Sequence, residues 1–322
     1  MQLGTRTRTY DSIFVDGRFV AADSGRRADV TSPRTEEVIG QVPLAGPADV
    51  DRAVAAARAA FDEGEWPRWS PAERAAALRR LADHLDRRSD ELVELGVEEN
   101  GYPIAFSEGY MAVMPSINLR TYADLCATYP FEEERLSPAA CSLVLREPVG
   151  VVVAIPPFNG PLTLGTQKAA PALAAGCTVI LKAPVQNGLA CYVFAEAVEE
   201  AGLPPGVVNV LVADVAESER LVTHPGVDKV SFTGSTPVGK RIAELCGRDI
   251  RRVTLELGGK SAAIMLDDVD VDKAVPGIVA CSVAMLQGEI CTAQSRILAP
   301  RARYDEIVDA LAEQIAALPV GD

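Results

Sequence analysis

The sequence predicts an α/β fold in which a mostly parallel sheet is covered by helices on both faces. Two observations carry this. From Pro148 onward, short, β-branched, wholly apolar runs (VGVVVAI, TVILK, VVNVLV, KVSF) alternate with stretches of helical spacing near 163–175 and over 187–201. Strands that are apolar on both faces belong in a parallel sheet shielded on each side. The length, 322 residues, corresponds to about two domains at roughly 150 residues each. A composition of 48% apolar and 24% charged residues fits an ordinary globular chain and excludes disordered, collagenous and coiled-coil classes.

Taken in order, FVDGRFV (residues 14–20) reads as a hairpin, because Asp16-Gly17 tolerates the positive φ of a tight turn. Residues 49–61 place apolar side chains at helical spacing among Ala and Arg. The next helix has a written start, Ser70-Pro71-Ala72-Glu73, a capping box with proline in the first turn, and runs to about Arg88. Past Tyr129, an acidic turn leads into extended chain, and Pro138 and Pro148 forbid a helix through it. This segment is expected to be a projecting β arm. Near the carboxyl end, an apolar helix is predicted over 271–286.

Forty-five acidic against 31 basic side chains give a net charge of -14, which repels phosphate backbones and anionic lipid, so nucleic acid is not an expected partner. No apolar stretch approaches the roughly 20 residues of a membrane span. The amino terminus turns polar and acidic where a secretory signal would be apolar. Seven cysteines without a C-x-x-C pair or a His-rich neighbour indicate neither a disulfide framework nor a metal site, and a reducing cytoplasm is the expected compartment.

Four strings at predicted strand ends are candidates for chemistry, since open α/β sheets bind ligands there. PPFNGP (156–161) holds Asn159 in a proline-stiffened turn, where its amide could donate to an oxyanion; the alternative is a structural turn with Asn in a left-handed conformation. FTGSTPVGK (232–240) runs from strand into helix with Gly234, Ser235, Thr236 and Gly239, and open amides there would cradle a phosphate. It matches neither the G-x-G-x-x-G nor the P-loop pattern, so a plain capped helix is its alternative. LELGGKS (255–261) puts Glu256 between leucines that would desolvate it and raise its pKa towards that of a general base; the alternative is an ion pair with Arg251 or Arg252. LQGEICTAQSR (286–296) presents Cys291 after a Gly-containing loop. Lone cysteines are mostly inert, and a catalytic one needs positive dipoles or nearby amides. Cys126, Cys141, Cys177, Cys191, Cys246 and Cys281 sit inside helical or strand patterns and are assigned to packing.

Together these strings resemble the NAD(P)-dependent aldehyde dehydrogenase superfamily. Its P-W/F-N-x-P turn, K-P-x-E-like strand end, F-T-G-S-T-x-x-G, E-L-G-G-K and G-Q-x-C all have counterparts here, in the same order. The resemblance implies a Rossmann-like cofactor domain (1–125 and 149–257), an oligomerisation β arm (126–148) and the amino-terminal part of an α/β catalytic domain (258–322), with a homo-dimer or homo-tetramer for the full-length form. It implies NAD or NADP as cofactor and a small aldehyde as substrate. Cys291 would attack the carbonyl, Asn159 and the Cys291 N–H would hold the oxyanion, and Glu256 would activate water against the thioester. Lys182 would meet the adenosine ribose, with Pro184 beside it. Ser235, Thr236 and the amides of Gly234 to Gly239 would lie near the pyrophosphate, Ile155, Pro156, Pro157 and Phe158 along the dinucleotide, and Leu257 near the nicotinamide.

Three departures from the pattern are visible. Val185 stands where NAD-preferring members carry Glu, which removes repulsion against a 2′-phosphate and leaves NADP open. Ala213 and Ser218 replace glycines common near the adenine. Glu289 replaces Gln two residues before the nucleophile and is expected to point outwards, away from the sulfur. The chain stops at ALPVGD, inside a segment that the family continues, which sets a second function beside aldehyde oxidation: a nucleotide-binding module without turnover. Tyr110 and Met114, on the helix after Gly109, are candidates for the mouth of a substrate tunnel, with plain packing as the alternative. A Cys-His hydrolase lacks any signature joining His84 or His224 to Cys291.

Overall fold

The computed structural model describes residues 8–321; residues 1–7, where the polar amino terminus begins, and Asp322 lie outside the described residues. The first strands are β1 (Arg8–Thr9), β2 (Ser12–Val15), β3 (Arg18–Ala21), β4 (Arg27–Thr31) and β5 (Val38–Pro43). β2 and β3 form the expected hairpin, Val15 opposite Arg18. Asp16 and Gly17 turn it at φ 57° and 73°, the left-handed pair that a two-residue hairpin turn requires. Strands β1, β5 and β4 make a small sheet of their own.

Five helices follow, α1 (Pro47–Asp62), α2 (Pro71–Asp86), α3 (Ser89–Asn100), α4 (Ile104–Ser107) and α5 (Met114–Thr128). The start of α2 is the predicted box. Ser70 Oγ accepts from the Glu73 N–H at 3.3 Å, and Glu73 Oε2 accepts the Ser70 N–H at 2.7 Å. Residues Glu108–Val113, carrying Tyr110, form a π-helical turn, a deviation often found beside functional sites. β6 (Glu132–Leu136) and β7 (Cys141–Leu145) pair as a two-stranded hairpin. With no second layer over it, Leu136 is 82% exposed. Cys141, assigned to packing from its strand pattern, is exposed for the same reason.

The predicted alternation then appears as β8 (Val151–Ile155), α6 (Pro161–Ala174), β9 (Thr178–Ala183), α7 (Leu189–Glu200), β10 (Val208–Val212), α8 (Val215–Thr223), β11 (Lys229–Gly234), α9 (Thr236–Arg248) and β12 (Arg252–Leu257). These strands build a seven-stranded sheet ordered β12-β11-β8-β9-β10-β2-β3. β8 pairs in parallel with both β9 and β11, so successive strands leave it in opposite directions. That is a topological switch point, where the loops at the carboxyl ends part and open a crevice. β8 and β10 are buried along their whole length. Beneath them Trp66, fully buried, donates its indole N–H to the Cys177 carbonyl at 3.1 Å.

By its internal contacts the chain divides into a first unit, residues 8–233 with 237–255, and a second, residues 234–236 with 256–321. The second unit contains β13 (Ala262–Ile264), α10 (Val271–Val279), β14 (Arg296–Leu298) and α11 (Tyr304–Ala316), with β13 and β14 paired in parallel. Val271, Val275, Ile278, Val279 and Ile307 form its core. The single helix predicted over 271–286 is broken: α10 ends at Val279, and a π-helical turn occupies Ala280–Ala284. Leu286, Gln287 and Gly288 then turn left-handed at φ 49°, 53° and 81°. Three consecutive left-handed residues cannot continue an α-helix, so the chain leaves the helix axis before Cys291. Cys281 falls on the π turn and is exposed, contrary to the packing assigned to it. The other four, Cys126, Cys177, Cys191 and Cys246, are buried.

Candidate active site

The site begins at the carboxyl end of β8. Ile155 and Pro156 are buried, Pro157 and Asn159 half-buried, and Phe158 is 49% exposed. Asn159 does not take a left-handed conformation, which removes the structural-turn alternative that invoked one. Its carbonyl accepts the Tyr102 hydroxyl at 2.8 Å, and the preceding Phe158 carbonyl accepts from Asn100 Nδ2 at 2.9 Å and Asn187 Nδ2 at 2.6 Å. Tyr102 and Asn187 have no local sign in the sequence, and Asn100 has only the Gly that follows it. Gly160 follows, and a Cβ there would come within 2.5 Å of the Tyr110 hydroxyl, so only glycine lets that phenol approach the turn. Tyr110 itself belongs to an aromatic group, its ring centroid 6.0 Å from Tyr102, which it meets edge-on, and 5.0 Å from the tilted ring of Phe106. Met114 is half-buried at the start of α5.

β9 delivers Lys182 and Pro184 beside this turn, since Ala154 of β8 is in register with Leu181 of β9. Pro184 is buried, Lys182 half-buried. Lys182 has no hydrogen bond or ion pair among the described residues. Burial pushes its ammonium down to about 8, while Cys191 and Asp214 pull weakly the other way. A desolvated ammonium without a protein partner is suited to a polar ligand, and a hydroxyl-bearing one fits the three donors it offers. At the end of β11, Lys168, a buried residue of α6, donates to Thr233 Oγ1 at 2.6 Å; nothing in the sequence around either residue marks this bond.

β11 ends at Gly234, half-buried, and Ser235 and Thr236, both exposed, lead into α9. The unpaired N–H groups of a helix are those of its cap and first three residues. Here Ser235, Thr236 and Val238 can offer them, Pro237 has none, and Gly239 lies buried within the first turn.

Glu256 is exposed on β12, the outer strand of the sheet. The expected desolvation by Leu255 and Leu257 does not occur, for a simple reason. Adjacent residues of a strand project to opposite faces, so flanking leucines cannot surround the carboxylate between them. The ion pair considered as its alternative is absent as well: Arg251 donates to the Val222 and His224 carbonyls at the carboxyl end of α8. Leu257 is half-buried at the strand end. Within the second unit, Gly258 faces Thr236, whose Oγ1 would lie 3.9 Å from a Cβ at 258. Gly259 faces the Cys291 carbonyl, 3.1 Å from the corresponding point. Gly259 therefore lets the chain after β12 pass close to the Cys291 turn. Cys291 is exposed there, as is Glu289.

The histidines are engaged elsewhere, His84 with Glu200 at 2.8 Å and His224 with Asp51 at 3.5 Å.

Glu99 is a buried carboxylate with an unusual duty. Its two oxygens accept the N–H groups of Leu189 and Ala190 at 2.7 and 3.1 Å, closing the open end of α7. Burial pushes its carboxyl up to about 7, against the pull of those two N–H groups. The folded state holds the proton more tightly than the unfolded chain, whose carboxyl titrates near 4.5. Its contribution to stability is thus complete below the unfolded value and is lost as pH rises through the folded one. Glu99→Gln should flatten the fall in stability between these two values by on the order of a few kcal/mol. Denaturant melts of parent and variant across that range check this, and parallel curves would contradict it.

Comparisons with known proteins identify the family. A model of the aldehyde dehydrogenase family matches residues 19–322. Geranial dehydrogenase of Castellaniella defragrans is 47% identical over 317 residues, 98% of this chain and 66% of that protein. An aldehyde dehydrogenase of Mycobacterium tuberculosis, solved in complex with NAD+, superposes with a TM-score of 0.95 at 42% identity, covering 98% of this chain and 65% of that one. An NADP dependent enzyme of E. coli superposes at 0.92 and 33% identity, covering 97% and 64%. The chain thus spans slightly less than two thirds of the length of these relatives. Among the described residues no helix is long and apolar enough to cross a membrane.

Proposed function

The chain belongs to the aldehyde dehydrogenase family, and from that premise we propose that it carries the nucleophile and the nucleotide-binding part of an enzyme oxidising an aldehyde to a carboxylic acid. The observation that carries the proposal is the Cys291 turn, exposed and packed against Gly259 at the end of the strand that bears Glu256.

Cys291, as thiolate, forms a carbon–sulfur bond to the aldehyde carbonyl, whose π electrons move to oxygen. Asn159 Nδ2 and the Cys291 N–H donate to that oxyanion and lower the barrier to its formation. NAD or NADP, held by Lys182 and the start of α9, would supply the acceptor for a hydride from the same carbon, and loss of that hydride would let the carbonyl re-form as a thioester on Cys291. Glu256 then accepts a proton from water as it adds to the thioester, the carbon–sulfur bond breaks, and the acid departs. The exposure of Glu256 suits this step, because a base that serves water must be reached by it.

For the dinucleotide, Lys182 takes the adenosine ribose, and Ser235 and Thr236 at the start of α9 take the pyrophosphate, with Gly234 giving the backbone room and Gly239 the tight helix start. Ile155, Pro156, Pro157, Phe158 and Pro184 line the path, and Leu257 borders the nicotinamide. Val185 adds no carboxylate beside Lys182, which leaves NADP open beside NAD. The β6–β7 hairpin, with Leu136 and Leu143 exposed, is the segment through which a homo-dimer or homo-tetramer forms. Seven free thiols favour a reducing, cytoplasmic compartment.

Titrating the chain with NAD and NADP, then adding aldehyde, tests this. Saturable binding followed by NAD(P)H absorbance is the expected result. Binding without NAD(P)H would leave a nucleotide-binding module, and no binding would overturn both.

A further inference from the structure

The turn that carries Asn159 is held from outside itself. Gly101, at φ 68°, ends α3 and lets the chain reverse, with the Tyr102 N–H returning to the Gly96 carbonyl at 3.2 Å, the usual left-handed glycine exit from a helix. The reversal brings two neighbouring side chains together, Asn100 Nδ2 donating to the Tyr102 hydroxyl at 3.0 Å. Both then reach the turn, Asn100 to the Phe158 carbonyl and Tyr102 to the Asn159 carbonyl. Asn187, from the loop after β9, donates to the same Phe158 carbonyl. Glu99 fixes the start of α7 just beyond Asn187. Tyr102, Glu99 and Asn187 are each at most 5% exposed, which shields the donor side of the bonds from Tyr102 and Asn187 and strengthens them; the bond from Asn100 is open to water.

The consequence is geometric. The Phe158 carbonyl belongs to the peptide plane before the Asn159 Cα and the Asn159 carbonyl to the plane after it. Fixing both planes fixes φ and ψ of Asn159, and with them the direction of its Cα–Cβ bond. We infer that Asn100, Tyr102 and Asn187 are positioning residues that set the direction of the Asn159 side chain, and that residues 99–102 tie the loops after β8 and β9 into one rigid piece. This rests on the proposed role of Asn159 at the oxyanion. None of the three touches the reacting atoms; they act through Asn159. An error of about 1 Å in placing such a donor can cost up to about 100-fold in rate.

Tyr102→Phe removes one hydroxyl and keeps the ring. It should lower kcat about tenfold with KM for the aldehyde unmoved, because an oxyanion donor works on the transition state and not on the bound substrate. Combined with Asn159→Ala it should cost nothing further, since the group it orients is gone. Backbone amides of residues 158–164 should exchange faster with deuterium in Tyr102→Phe, and Asn187→Ala should reproduce both effects. Unchanged exchange in both variants, or a tenfold loss that persists in the Asn159→Ala background, would overturn the inference. A different outcome sinks the proposed function instead: parental kcat in Asn159→Ala, or no turnover in the parent. In that case the exchange measurement still decides whether these side chains hold the turn.

Discussion

Cys291→Ala is expected to abolish aldehyde oxidation, lowering kcat on the order of 10⁴ to 10⁶-fold, as removal of a covalent nucleophile does. The effect is large because no other group can take its place. Cys141 and Cys281 are also exposed, but the first lies on the β6–β7 hairpin and the second on the π turn after α10, ten residues before the turn that meets Gly259. The four buried thiols are desolvated or enclosed. Burial raises the pKa of Cys177 and, more strongly, that of Cys191, which holds them as unreactive thiols. Dinucleotide affinity should survive the substitution, since Lys182 and the start of α9 remain. Steady-state turnover and a binding titration on the same variant separate the two. Residual activity within about tenfold of the parent would assign the chemistry to another group.

Asn159→Ala is expected to lower kcat about 10² to 10³-fold, the usual cost of one oxyanion donor. The loss should fall on kcat and leave aldehyde KM near its parental value, because the donated hydrogen bond strengthens only when charge develops on oxygen. The fold should tolerate the change: the Asn159 carbonyl, which Tyr102 holds, belongs to the main chain and is kept in alanine. Equal kcat in variant and parent would remove Asn159 from the mechanism.

Features written locally were legible in the sequence. The Asp16-Gly17 turn, the Ser70 box and the alternation of β8 to β11 with their helices each depend on residues within a few positions of one another, where spacing and propensity decide. The family strings located Asn159, Glu256 and Cys291 in loops or strand ends for the same reason. What could not be read depends on distant partners or on which face a side chain takes. Tyr102 and Asn159 are separated by 57 residues, Glu99 and Leu189 by 90, and nothing in either neighbourhood announces the other.

Strand placement shows the same limit. β2 joins the large sheet antiparallel to β10, with Phe14 opposite Val210, a pairing across almost the whole first unit. Hydropathy could not reveal that Cys141 lies on an uncovered hairpin, nor that Glu256 faces away from the leucines beside it. The break after Val279 escaped because apolar spacing continues through it, while the decisive feature is the left-handed backbone at Leu286 to Gly288. Asn100-Gly101 held a partial signal, since an Asn-Gly pair closing a helix marks a chain reversal.

The central claim is that substrate carbon becomes bonded to one particular sulfur. Mixing the chain with aldehyde and dinucleotide, quenching in acid within the first turnover and measuring peptide masses tests it directly. The account predicts an acyl group, the aldehyde less two hydrogens, on the peptide containing Cys291. NAD(P)H formation with that peptide unmodified, or with the acyl group on a different cysteine, would contradict it.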